Sequence, residues 1–272
     1  MPEASFPLAL PIRRWPAWGR VVLFWAGFAA LFALAAPVSA AFRGLWQGAV
    51  LGTLVSLGAV LLTAWLLRSS GRPLSEIGLG VRRGSPTRFL IGVGCGAVLI
   101  GTHVLLLWAF GGEVSIERAP EVGAGAILAA VCSFVPLAAM EEIGFRGYPL
   151  HRLKTAYGLW AAQAVVAVAF AVYHVLGGFP WVAALLGTGM GSLLFGMAAV
   201  ATRGLAVPIG LHAAWNFGGW LVGEKPDPGL WTIAVAESSR PTAELVGALG
   251  YFGILGAATL GFWLLYRRRA PR

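Results

Sequence analysis

The chain has 272 residues, 58% hydrophobic and 11% charged, with a mean hydropathy of +0.78. So little polar surface cannot cover a water-soluble globule, which excludes a soluble domain and leaves lipid as the solvent for the outer faces. The net charge of +9 comes from basic residues held in the segments between apolar runs; without interleaved aromatics and a basic groove it excludes a nucleic-acid partner and reads as membrane topology and attraction to anionic headgroups.

Taken in chain order, the opening stretch "MPEASFPLALPIRRWPAWGR" carries prolines and three arginines ahead of the first span, so a cleavable signal is not expected. Eight apolar runs of spanning length follow, at about 20–41, 46–67, 89–110, 122–141, 159–177, 180–201, 204–222 and 244–266. Runs such as "LIGVGCGAVLIG" and "LLGTGMGSLLFGMAA" are rich in small residues, which let helix backbones approach closely in a bilayer. Between the second and third runs, "RSSGRPLSEIGLGVRRGSPTR" predicts a short amphipathic element at the membrane surface. The segment "GEKPDPGLWTIAVAESSRPTAE" predicts a flexible extramembrane connector. Cys95 and Cys132 fall inside apolar runs and read as buried thiols rather than a disulfide.

Alternating these eight spans puts sixteen Arg and Lys residues on one side and four, Arg43, Arg118, Lys225 and Arg240, on the other. That asymmetry predicts both termini on the cytosolic side. The expected architecture is all-α: a single integral membrane domain over 1–272, a polytopic bundle of about eight transmembrane helices with an intramembrane polar cavity. Nothing in the residues separates a bacterial inner membrane from an endoplasmic-reticulum membrane; short loops and compact length favour the bacterial one.

Within or at the edge of the runs, the notable ionisable groups are Glu141, Glu142, Arg146, His103, His174 and His212, with Asn216 as the notable amide. Such groups are expensive in hydrocarbon, so each is a functional candidate. Glu142 and Arg146, Phe170 and His174, and His212 and Asn216 are each spaced i, i+4, which stacks the pair on one helix face. Glu142 lies one turn before Arg146, in the favourable order for an ion pair, and the two are expected to neutralise each other. Glu141 points about 100° away around the helix and keeps a free carboxylate. A poorly solvated carboxylate is a stronger base than one in water, suited to activating a water molecule. A turn at Tyr157–Gly158 would bring Glu141 and His174 to one level, with Pro149 breaking the helix and "RGYPLHRLKTAYG" projecting as a bent interfacial extension. His103 reads as a packing group and Phe170 as a wall of the cavity beside His174.

Several hydrolytic chemistries are excluded by composition. The sole aspartate is Asp227, outside the spans, so no aspartyl pair exists; there is no HExxH; and Ser192 in "GMGSLLFG" reads as a packing residue. The ordered set Glu-Glu-x-x-x-Arg, Phe-x-x-x-His and His-x-x-x-Asn resembles the CPBP family, the type II CAAX prenyl endopeptidases and their bacterial relatives, including bacteriocin-processing and immunity proteins of Abi type. The resemblance covers about 122–222, the expected catalytic core. It implies a cavity open to the cytosolic side and cleavage of a hydrophobic or prenylated peptide. It further implies that Glu141 activates water with help from His174, while His212 and Asn216 stabilise the oxyanion. Glu142, Arg146 and Phe170 would support them. An amide is a poor zinc ligand, so the expectation is a metal-independent hydrolase with no cofactor, zinc staying open as the alternative. A non-catalytic immunity or scaffold protein binding a peptide in the same cavity is the competing reading.

Overall fold

The computed structural model describes residues 15–68, 72–80, 83–119 and 122–269. The topology assigned above to Arg13, Arg14, Arg82 and Arg272, and the reading of the first residues as uncleaved, lie outside the described residues. All eight expected spans are helical: α1 Ala17–Ser39, α2 Leu45–Arg68, α3 Ser85–Phe110, α4 Ala124–Glu142, α6 Leu159–Leu176, α7 Gly189–Thr202 (continuous with a π-helical segment at Ala183–Thr188), α8 Ala206–Leu221 and α9 Arg240–Arg269. A shorter α5, Tyr148–Tyr157, continues from α4. The protein is an all-α polytopic membrane bundle, with seven helical segments long and apolar enough to cross a bilayer. The remaining span, α8, has 16 residues, about 24 Å of helix, and is shorter than the hydrocarbon layer.

Packing follows the small residues. The most extensive helix contacts are between α3 and α8 and between α2 and α4. At the first, a Cβ on Gly92 or Gly96 would run into the backbone carbonyls of Val207 and Leu211. At the second, a Cβ on Gly52 would lie 2.6 Å from the backbone nitrogen of Leu137. Glycine is what permits these separations, and dispersion across backbone-to-backbone contacts replaces the hydrophobic driving force that lipid does not supply. Large apolar side chains such as Leu34, Leu61, Val98 and Leu176 face outward, as a lipid-solvated surface requires.

The helix after Glu142 is interrupted differently from expectation. Ile143–Gly147 forms a π-turn, and Pro149 sits in the first turn of α5, where its missing N–H and fixed φ are tolerated. The break therefore comes from the extra residue of the π-turn, and Pro149 starts the next helix. Gly144, inside it, has no Cβ to strike the Phe28 ring, and its carbonyl accepts a hydrogen bond from Trp25 Nε1 at 3.2 Å. The α5–α6 turn falls at Gly158, whose φ of 85° suits glycine.

The expected flexible connector is a second correction. Trp231–Val235 forms strand β2, antiparallel to β1 at Val114–Arg118, with Val114 opposite Val235 and Arg118 opposite Trp231. β1 alternates β-branched with polar residues and β2 is rich in β-branched and aromatic residues, and each satisfies the other's backbone outside the helices. The surface element at Leu74–Ile77 is a single 3₁₀ turn whose Ile77 is buried in the core. Cys95 and Cys132 are free thiols.

Candidate active site

One cavity of about 780 Å³ is lined by Glu141, His174, His212, Asn216, Tyr173 and Lys225, with apolar walls from α1, α4 and α6. Glu141 is the next-to-last residue of α4, His174 stands near the end of α6, and His212 and Asn216 lie on successive turns of α8. The α3–α8 glycine contacts fix the position of α8, so close backbone packing sets where His212 stands.

His212 is wedged between the two glutamates. Its Nδ1 lies 2.9 Å from Glu142 Oε1, and its Nε2 faces Glu141 Oε2 at 3.6 Å, beyond hydrogen-bond length. The ring stacks on Phe195, with centroids 4.3 Å apart and planes 15° from parallel. Glu142 Oε1 also meets Arg146 Nη1 at 3.4 Å, both side chains being fully inaccessible. The Arg146 guanidinium lies over the Phe170 ring at 4.1 Å, and its Nε and Nη2 have no hydrogen-bond partner. Glu142 thus serves two cations or donors at once, and the expectation that it only neutralises Arg146 is incomplete. Glu141 Oε2 is buried without a hydrogen-bond partner.

His174 Nδ1 lies 2.9 Å from the carbonyl oxygen of Phe170. A carbonyl only accepts, so this contact places the proton on Nδ1 and leaves Nε2 as the lone-pair nitrogen. Phe170, Tyr173 and Phe179 pack around the ring at centroid distances of 4.4, 5.3 and 5.3 Å. Asn216 Oδ1 accepts a hydrogen bond from Lys225 Nζ at 3.0 Å. Burial lowers the Lys225 pKa from the ordinary lysine value, and Glu224 and Glu141 act in the opposite direction.

The exposed part of the cavity's lining is Ala29 of α1 with Val172, Leu176, Gly177 and Phe179, at and just beyond the C-terminal end of α6. Phe24, Tyr148, Leu150, Val166 and Phe170 belong to one buried apolar cluster.

Ser192 is buried and does not line the cavity. His103 packs against Trp215 and Tyr251, also away from it. Among the described residues no three His, Cys, Asp or Glu side chains are disposed to hold a metal ion. The sequence reading missed Lys225, which it counted only as a loop charge. The available signal was its position nine residues after Asn216, behind the turn at Gly223.

Residues 123–218 match the family described as Rce1-like, type II CAAX prenyl endopeptidase Rce1-like. The match covers about a third of the chain, residues 123–218. No curated protein matches the chain. The Rce1-like segment runs from the start of α4 nearly to the end of α8 and contains both glutamates, Arg146, Phe170, His174, His212 and Asn216. Lys225 lies beyond it. The Rce1-like match supports a membrane protease of CAAX type at the level of the family.

Proposed function

We propose that the chain is an intramembrane endopeptidase that hydrolyses a peptide bond near the end of a hydrophobic or prenylated peptide, using water activated by Glu141. The observation that carries this reading is Glu141, whose buried Oε2 accepts no hydrogen bond and which shares one cavity with His174, His212 and Asn216. In the first step the water oxygen bonds to the scissile carbonyl carbon, its proton passes to Glu141, and the C=O π pair moves to oxygen. His212, with Nδ1–H given to Glu142 and Nε2–H to the substrate, and the Asn216 amide N–H stabilise that oxyanion. His174 Nε2 accepts a hydrogen bond from the water and orients it. In the second step the C–N bond breaks, the oxyanion pair re-forms C=O, and Glu141 returns its proton to the departing amine. No step draws on a cofactor or metal. The charge asymmetry of the loops supports an orientation with both termini cytosolic, and loop length favours a bacterial inner membrane.

The test is hydrolysis of a fluorescence-quenched peptide ending in a prenylated cysteine and three apolar residues, by the full chain in lipid nanodiscs. Glu141→Gln is expected to lower kcat by about 10²–10⁴-fold. Full activity in that variant refutes the glutamate assignment. Loss of wild-type activity with a chelator and its return with zinc would instead establish a metal enzyme. If Glu141→Ala and His174→Ala both leave the protein's function in cells intact, the protein acts by binding, as an immunity or scaffold protein.

A further inference from the structure

The last turn of α8 carries an arrangement that the water-activating reaction does not by itself require. The chain leaves α8 at Leu221 and turns back at Gly223, φ 79°, where Glu224 N donates to the Gly219 carbonyl at 2.8 Å. This folds Lys225 onto the helix it has just left. Lys225 packs against Gly219: a Cβ there would lie in ordinary contact with Lys225 Cε, at 3.5 Å, and 3.2 Å from Glu224 Oε2. The ammonium then reaches Asn216 Oδ1 at 3.0 Å. A lysine ammonium only donates, so this bond fixes which end of the Asn216 amide faces it. The opposite end, the Nδ2 donor, makes no hydrogen bond among the described residues and belongs to a side chain lining the cavity.

We propose that Lys225 is a positioning residue for the hydrolysis proposed above: it holds the Asn216 amide with Nδ2–H presented to the oxyanion and keeps the oxygen turned away. Without it the amide is free to rotate its acceptor toward the developing negative charge, which repels it. The proposal rests on the endopeptidase reading for its kinetic consequence and on the hydrogen bond alone for its structural one.

The experiment pairs Lys225→Met with Asn216→Ala in a double-mutant cycle on the quenched prenyl-peptide. Loss of one oxyanion donor costs about 10²–10³ in rate, and losing its orientation alone is expected to cost about 10-fold in kcat with KM within about twofold. Because Lys225 acts through Asn216, adding Lys225→Met to Asn216→Ala is expected to change kcat less than about twofold. Lys225→Arg, which retains a donor, is expected to recover most of the loss. Equal losses in both backgrounds overturn the proposal. So does a rise in KM with kcat unchanged, which would make Lys225 a group that binds the substrate itself. A second measurement does not depend on turnover. The Asn216 side-chain amide signals in an ¹H–¹⁵N spectrum, assigned by their loss in Asn216→Asp, are expected to shift and broaden in Lys225→Met. Unchanged signals overturn the proposal. If the wild type fails to cleave the peptide while the amide signals do shift, the endopeptidase reading fails and the positioning contact stands.

Discussion

Removing Glu142 separates a structural role from a functional one at a single carboxylate. In Glu142→Ala the Arg146 guanidinium stays fully enclosed, loses the carboxylate at 3.4 Å, and keeps the Phe145, Phe170 and Phe195 rings as direct contacts, with Glu141 acting only at longer range. Breaking one side of a buried pair costs about 3–5 kcal/mol, because an uncompensated charge is left in a low-dielectric interior. For a chain of this size that corresponds to a fall in the unfolding midpoint of roughly 6–20 °C. Replacing both partners, as Glu142→Ala with Arg146→Met, removes the stranded charge and is expected to restore most of that stability. It does not restore the acceptor 2.9 Å from His212 Nδ1. The double variant is therefore expected to melt near the wild type yet cleave the peptide about 10²-fold more slowly. Thermal unfolding in detergent and kcat on the quenched peptide give the two readouts. Near-wild-type cleavage by the stable double variant would refute the argument that Glu142 orients His212. A stability loss under about 1 kcal/mol in Glu142→Ala would refute the charge argument.

Three further outcomes follow from the same geometry. His174→Gln is expected to lower kcat by about 10²–10⁴-fold with little change in melting, and a loss below about threefold would remove His174 from water activation. Gly96→Val drives a side chain into the Leu211 carbonyl, next to His212, and is expected to lower stability by about 1–3 kcal/mol together with kcat, whereas Gly94→Ala, which meets nothing within 4 Å, leaves both unchanged. Burial lowers the Lys225 pKa, so its ammonium is present at low pH and lost as pH rises through a value below the usual lysine range, despite the opposing effect of Glu141 and Glu224. The alkaline limb of kcat is accordingly expected to lie below the range of an ordinary lysine, and Lys225→Arg, which stays charged, is expected to abolish that limb.

The span positions were legible because lipid solvation writes itself as unbroken apolar runs, and charged residues mark the breaks between them. The i, i+4 spacings likewise identified the faces carrying Phe170 with His174 and His212 with Asn216. Helical geometry could not show that Glu142 reaches across to His212, a partner 70 residues away, since spacing speaks only to neighbours on one helix. The π-turn escaped because an extra residue per turn leaves no compositional mark, and Gly144 and Gly147 read equally well as packing residues. Strands of five residues are too short for alternation to stand out, so β2 passed as a connector. Lys225 was hidden by the same topology argument that located the loops: once counted as a loop charge, it had no reason to be folded back on α8.

For the proposed endopeptidase, a cavity with an exposed margin at Ala29, Val172 and Leu176 of a bilayer-spanning bundle changes what concentration means. A substrate anchored in the bilayer arrives by two-dimensional diffusion, in competition with every neighbouring acyl chain. Velocity then tracks the mole fraction of substrate in the membrane, and diluting the same amount of peptide with inert phospholipid slows cleavage even at constant bulk concentration. Bilayer fluidity and thickness become kinetic variables alongside the chemistry at Glu141.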